Sequence, residues 1–391
     1  MISVKEAKQI IAQNIIERRS HFLPLHLLEG KILAKDIYSP INVPYFHNSA
    51  MDGYAVSETD EKLEWVVKYH IQAGDTQLYN LKKGEAARIF TGAMIPENTW
   101  AVIAQENIEK KVNDRIFYSQ VLPRGMNIRK EGEQCLKDDL ILKQNQIINV
   151  GTIALLASIG LKEVPIYVPL SVTIIITGNE LKRLGEPLEK GQIYESNGVF
   201  LFSYLKKLGI ENINIYYCED DFDKLKNLIS ETLEKCDFLI CSGGISVGEY
   251  DYVKKALKEN QIEELFYKIR QKPGKPLWVG KKLDTLVFAL PGNPVSVAVC
   301  FNQYVKPCLL SSMGYRDTWL PSCFAPLQSA YEKKSGLTQF LKINLESSQA
   351  NILQGQESFN LLSFRETTHI GLIEEQDEHI SLGMPIALFE W

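Results

Sequence analysis

No two cysteines are spaced as CxxC, and the seven present, Cys135, Cys218, Cys236, Cys241, Cys300, Cys308 and Cys323, are odd in number. Neither a zinc knuckle nor a disulfide framework is therefore expected, and the thiols read as reduced, mostly buried fillers. Long hydrophobic runs are also missing. "VTIII" and "TIALLASIGL" fall well short of the roughly 20 residues that cross a bilayer, and "MISVKEAKQII" at the start has no signal-peptide core. The expectation is a cytoplasmic protein with no membrane partner. An excess of positive charge is absent too: the net charge is -5, so nothing global attracts nucleic acid. No serine sits in a nucleophile elbow, and no triad partner accompanies His47, which reads as a surface histidine.

What is present is an ordinary globular balance, 45% apolar and 23% charged, over 391 residues. That is too long for one compact core, so two to four domains are expected. Ser3 followed by Glu6 has the pattern of a capping box opening an N-terminal helix. From Ile41 to about Leu142 short apolar stretches alternate with Gly, Pro and Asn, the pattern of a mostly β insertion. "VGTIALLASIG" then returns to helical spacing and ends on Gly160. Between "SVTIIIT" and "VSVAVCFNQYVKPCLL" strand-like and helix-like segments alternate, the mark of a parallel α/β sheet. After "RDTWLPS", a linker, the chain reads as a small all-β tail with "FLKINL" and "ISLGMPIALF" as its best strands.

In an open parallel sheet ligands bind beyond the carboxyl ends of the strands. Four segments fall there: "TGNEL" with Glu180, "CEDD" with Asp220, "SGGISVGEYDY" and "LPGNPVS". Each alone has an ordinary explanation, since Gly-Asn and Pro-Gly are turn dipeptides and Asp220 or Asp221 suits a helix cap. Together they imply one cleft. The stretch Leu265 to Leu283 holds no acidic residue but six lysines and arginines, and "KPGKP" within it would hold Lys272 and Lys275 in place. Carboxylates beside a phosphate call for a divalent cation: magnesium on Asp220 or Asp251, with the lysines neutralising the remaining charge. That assembly is what cleavage of a phosphate anhydride requires. Of Glu249 and Asp251, the latter is preferred as the metal arm. In the insertion, "PYFHNSAMDGYAV" crowds Asn48, Ser49 and Asp52 into a turn closed by Gly53, where capping of the turn is the simplest role for Asp52.

The segments "NSAMDGYAV", "TGAMIPENTWAVIAQE", "NIRKEGE", "ITGNEL", "GQIYESN", "SGGISVGEYDY", "KPGKP" and "LPGNPVS", in this order, resemble the MoeA and gephyrin E-domain family, the molybdopterin molybdenumtransferases. The resemblance implies a multidomain α/β plus β protein. Its domains would be a discontinuous one (1–41 and 143–169), a mostly β insertion (42–142), an α/β domain like the molybdopterin adenylyltransferase fold (170–315) and an all-β C-terminal domain (316–391). It implies a homodimer whose clefts lie between the α/β domain of one subunit and the "SAMDGYA" domain of the other. The implied reaction takes adenylylated molybdopterin and molybdate, inserts the metal and releases AMP with magnesium. The molybdopterin adenylyltransferase is a candidate protein partner. By position, Asp52, Glu180 and Asp251 are expected to be catalytic, and Asp220 and Asp251 to bind metal. Thr91, Ser242, Gly243, Gly244, Ser246, Lys268, Lys272, Lys275, Pro291 and Pro294 are expected to bind substrate, the "SGGIS" amides cradling the pterin's phosphate.

Two departures stand out. Gln134 occupies a position where the family usually has an aspartate, and the C-terminal "NLLSFRETTHIGLIEE" matches the family pattern only loosely, so no site residue is assigned there. Two rival readings accompany the enzyme: a gephyrin-like scaffold that binds partner proteins, and a paralogue that handles tungstate.

Overall fold

A computed structural model describes residues 1–16, 19–59, 64–245, 252–334 and 336–391. The chain forms two compact units, one of residues 1–21 and 167–391, the other of residues 22–166.

The first unit is built on a six-stranded sheet of β1 (Ser171–Thr177), β2 (Asn212–Cys218), β3 (Phe238–Ser242), β4 (Glu263–Tyr267), β5 (Trp278–Lys282) and β6 (Thr285–Leu290), in the spatial order β2-β1-β3-β6-β5-β4. The four strands β2, β1, β3 and β6 are parallel. The hairpin of β5 and β6 and the edge strand β4 add antiparallel pairs, so the parallel core expected from the alternation carries a mixed flank. β1, β3 and β6 are buried along nearly their whole length, because both faces of the sheet are covered. Successive side chains point to opposite faces. Val172, Ile174, Ile176, Phe238, Ile240, Leu286, Phe288 and Leu290 therefore enter one cluster, while Ile175, Leu239, Cys241, Val287 and Ala289 enter the other.

Helix α1 (Val4–Gln13) begins with the expected capping box: Ser3 Oγ accepts from Glu6 N at 3.2 Å and Glu6 Oε2 accepts from Ser3 N at 2.7 Å. Its buried stripe of Val4, Ala7 and Ile11 joins the first cluster of the α/β sheet. The N-terminal segment thus groups with that sheet, whereas the sequence had grouped residues 1–41 with 143–169. Three amphipathic helices follow the parallel strands: α2 (Asn197–Lys207), α3 (Phe222–Leu233) and α4 (Tyr252–Glu259). The last helical stretch, expected as one helix, is divided. α5 (Pro294–Cys300) passes through a π-helical turn at Phe301–Val305 into α6 (Lys306–Met313). Pro307 has no N–H to donate and its ring crowds the preceding turn, a physical reason for the change of winding. Five C-terminal strands and Gln271–Lys272, which pairs in parallel with Thr338–Glu346, form a second six-stranded sheet.

The second unit contains the β insertion as expected, a six-stranded mixed sheet in the order Thr99–Ala104, Gly53–Ser57, Glu85–Ile89, Glu64–Ile71, Arg115–Phe117, Lys110–Val112. The helix Val150–Ser158, capped by Asn149, packs through Leu156 on Leu28, Leu33, Ile148 and Ile166. Among the described residues no helix is long and apolar enough to cross a membrane.

Ile11 is fully buried. Replacing it by alanine leaves a cavity under the sheet and should cost about 2–5 kcal/mol of unfolding free energy, read by urea titration.

Candidate active site

Register brings the carboxyl ends of the parallel strands level: Thr177 pairs with Cys218, Ile176 with Ser242, and Ser242 with Leu290. The chain goes from β1 to β2 on one side, then crosses to β3 on the other, so the order reverses beside β1. At such a switch point the two departing connections diverge and leave a crevice. A cavity of about 510 Å³ lies there, lined by Thr177, Glu180, Glu195, Asn197, Ser242, Gly243, Pro291 and Pro294 among others. Of the residues expected from sequence, Glu180, Ser242, Gly243, Pro291 and Pro294 are thus brought together.

Local chemistry explains the two glycines. Gly243 and Gly244 have φ of +102° and +61°, and a Cβ on Gly243 would lie 2.3 Å from the Thr177 carbonyl oxygen. The loop after β3 therefore folds directly onto the end of β1, a close approach that only glycine permits. Beside it the Thr177 hydroxyl is buried with no hydrogen-bond partner among the described residues. A buried orphan of this kind at a cleft calls for a partner supplied by ligand or water.

Three lining residues were missed as site residues in the sequence. Asn197 donates through Nδ2 to Ser242 Oγ at 3.0 Å and to the Gly292 carbonyl at 2.9 Å, tying the ends of β3 and β6 to the start of α2. Glu195, only 4% exposed, accepts from Gly198 N at 2.6 Å and caps the same helix. Thr177 completes the set. Asn197 and Glu195 lie inside the quoted "GQIYESN", but nothing in that string says its residues return to the ends of β3 and β6.

Lys272 and Lys275 line a neighbouring cavity of about 500 Å³ with Gln356, Glu357 and Ser358. The two cavities share Pro276, Asn293 and Ser296. Both lysines are exposed, yet their loop is braced from below. Buried Gln271 donates through Nε2 to the carbonyls of Pro273 (3.0 Å) and Gly274 (3.2 Å) and accepts from the Tyr304 hydroxyl. Tyr304 comes from the π-helical turn, and burial pushes its phenol well above the ordinary value, so it stays a proton donor. Lys268 lies apart from both linings, with Nζ 4.8 Å from the centre of the Tyr267 ring, whose hydroxyl donates to the Ile245 carbonyl at 3.3 Å.

Asp220 stands at the end of β2, where its Oδ2 accepts from Asn179 N at 3.2 Å while Asn179 Oδ1 accepts from Asp220 N at 3.0 Å. The cap of α3 is Asp221 rather than Asp220, accepting from Lys224 N at 2.9 Å. Asp220 is therefore left for other work. Ser246, Glu249 and Asp251 lie outside the described residues. Among the described residues no group of three or more His, Cys, Asp or Glu side chains gathers as a metal site. Magnesium, however, needs only one or two carboxylates when phosphate and water complete its shell, and Asp220 fits that requirement.

In the second unit Asp52 Oδ1 accepts from both the N–H (2.8 Å) and the hydroxyl (2.7 Å) of Thr91. These two bonds, the backbone one foremost, hold the Asp52 carboxyl below its ordinary value, with a smaller contribution from the Arg88 guanidinium. Arg88 in turn donates to the Gly53 carbonyl at 2.9 Å and lies over the rings of Tyr54 and Phe90. Asp52 and Thr91, separate in sequence, are thus one ionised, solvent-facing pair. Gln134 is exposed on a turn whose N–H donates to the Val43 carbonyl at 2.8 Å.

A largely parallel sheet with a switch-point crevice, together with a separate β unit, defines a multidomain α/β plus β protein. Residues 2–160 match the MoeA N-terminal region (domain I and II), and residues 173–311 match a probable molybdopterin binding domain. The chain is 35% identical to the molybdopterin molybdenumtransferase of Haemophilus influenzae, covering 99% of this chain and 98% of that protein. It is 32% identical to molybdopterin molybdenumtransferase 2 of Mycobacterium tuberculosis over 90% of each. Among solved structures, the molybdopterin biosynthesis MoeA protein from Pyrococcus horikoshii superposes with a TM-score of 0.87 at 30% identity, covering 100% and 99% of the two chains. The chain belongs to the molybdopterin molybdenumtransferase family, transferases of molybdenum cofactor biosynthesis.

Two outcomes test this geometry. Gly243→Ala should lower stability by at least about 2 kcal/mol in urea, because the methyl meets a carbonyl and φ is positive. Because the folded carboxyl of Asp52 titrates below its ordinary value of 3.8, its contribution to stability is present above that value. It is lost as pH falls through the lowered one. In Thr91→Val one of the two donors is gone, and NMR titration should find Asp52 protonating at higher pH than in the parent.

Proposed function

We propose that the protein inserts molybdate into adenylylated molybdopterin and releases AMP, working as a homodimer with magnesium in a reducing, cytoplasmic compartment. The observation that carries this reading is the convergence of Glu180, Ser242, Gly243, Pro291 and Pro294 on one crevice, with Lys272 and Lys275 in the adjoining cavity. Seven free thiols suit the compartment.

In this reading the amides and hydroxyls of the loop after β3, with Gly244 and Ser246 in it, hold the phosphate end of the pterin. Lys272 and Lys275 neutralise phosphate or molybdate, a tetrahedral dianion that needs the same donors, and Lys268 adds its charge from outside the two cavities. A water oxygen bonds to the pterin-side phosphorus as the P–O bond to AMP breaks; AMP departs with the electron pair and the water's proton passes to solvent. Magnesium, when bound, would supply positive charge that offsets the phosphates. Asp220 and Asp251 are the side chains that would hold it, and Glu180, which lines the crevice, would orient the attacking oxygen. Asp52, fixed by Thr91, serves the cleft of the partner subunit, which accounts for a charged pair with no chemical neighbour in its own turn. The molybdopterin adenylyltransferase is the natural donor of the substrate.

The test is AMP release by the purified protein given adenylylated molybdopterin, molybdate and magnesium. Turnover is expected, and Lys272→Ala with Lys275→Ala should lower it by about 10²-fold or more. No release from the parent protein would overturn the assignment in favour of a scaffold, and release supported better by tungstate would favour that oxyanion as substrate. Mixing inactive Asp52→Asn subunits with inactive Lys272→Ala subunits should restore part of the activity, because one cleft of the mixed dimer is intact. Failure of that rescue would argue against shared clefts.

A further inference from the structure

The C-terminal sheet sends one loop, residues 353–366, to the cavities at the end of the α/β sheet. Gln356, Glu357 and Ser358 line the lysine cavity, and Phe359 lines the switch-point crevice. The sequence had assigned no site residue there.

The loop is held on both sides of Phe359. Before it, the Ser358 carbonyl accepts from Val295 N at 3.1 Å and Ser358 Oγ accepts from Asn293 Nδ2 at 3.1 Å. After it, the Asn360 carbonyl accepts at 2.9 Å from Nζ of Lys342, a lysine only 1% exposed that also donates to the Gly355 carbonyl. Gln356 adds a clamp, giving Nε2 to the Lys342 and Leu353 carbonyls and taking Lys342 N on Oε1, all at 2.8–2.9 Å. Farther along, Phe364 stacks on Trp391, with centroids 4.5 Å apart and planes 6° from parallel, and Trp391 stacks on Phe200 of α2.

Against this fixed backbone the Phe359 side chain is 72% exposed. Single exposed apolar residues are common and need no explanation. This one differs because its backbone neighbours are pinned and the residue borders a cavity that sets apolar walls (Leu181, Ile193, Ile245) beside hydroxyl and amide groups (Thr177, Asn197, Ser242). A rigidly mounted aromatic ring at the rim of a phosphate-binding crevice suits a flat ligand that carries a phosphate.

We propose that Phe359 is the stacking platform for a fused-ring heteroaromatic of the substrate, pterin or adenine, whose phosphate lies at Ser242 and Gly243. This rests on the function proposed above. It makes Phe359 a binding and specificity residue that acts through its π-face rather than through charge.

The test uses the full-length protein and three probes titrated separately: AMP, pterin-6-carboxylate and molybdate alone. Phe359→Ala should weaken one ring-bearing probe by about tenfold and leave molybdate binding unchanged. Whichever ring probe loses affinity identifies the ring that stacks. In turnover KM should rise while kcat holds, and Phe359→Trp should restore binding, with its indole fluorescence quenched by the same probe. Thermal melting of both variants should match the parent, since the ring is exposed. Equal affinity of parent and Phe359→Ala for both ring probes, or no binding of either by the parent, would overturn the proposal. The titrations need no AMP release, so failure of the assigned reaction is seen separately in the turnover assay.

Discussion

Strand β1 has β2 on one side and β3 on the other, and the connections to them leave in opposite directions. The crevice between the diverging connections is a consequence of chain topology rather than of any single side chain. Asn197, Glu195 and the glycines after β3 maintain that opening. Asn197 ties Ser242 to Gly292, and Gly243 lets its loop rest against the Thr177 carbonyl without filling the space above.

Positive charge comes to the cavity adjoining this crevice from outside the parallel core. Lys272 and Lys275 ride on a loop whose first two residues are a strand of the C-terminal sheet and whose turn is hydrogen-bonded to buried Gln271. Tyr304 reaches Gln271 because the helix after β6 widens into a π turn. An exposed ammonium is ordinarily mobile and weakly interacting. Mounting two of them on a braced turn reduces the ordering cost of binding an anion, since the backbone is already in place. The same sheet supplies the loop bearing Phe359, so the C-terminal strands serve the site by carrying both the cationic and the aromatic edges of the cavities.

The second unit handles charge by a different route. Asp52 keeps its carboxylate ionised through two donors from one residue, Thr91, while facing solvent. Two directed hydrogen bonds favour the charged form without burial.

Much of this was legible in the chain. Alternation of apolar runs announced β1, β2, β3 and β6 with their helices, Ser3 and Glu6 announced α1, and the glycine-rich strand ends pointed to Glu180, Ser242, Gly243, Pro291 and Pro294. The motifs also carried the family. The short antiparallel strands β4 and β5 were hidden, since glutamates open the first ("EELFY") and a glycine and two lysines end the second ("WVGKK"), leaving little apolar pattern to mark a strand. Asn197 and Thr177 were hidden for another reason: Asn197 bonds residues 45 and 95 positions away and Thr177 sits on a closed strand end. Tyr304 meets Gln271 across 33 positions in the same way. Local periodicity and turn chemistry act over a few residues and are written in the sequence itself. Which side chains meet across a cleft is decided by strand order and register, and only the folded chain brings those distant positions within hydrogen-bonding or stacking distance.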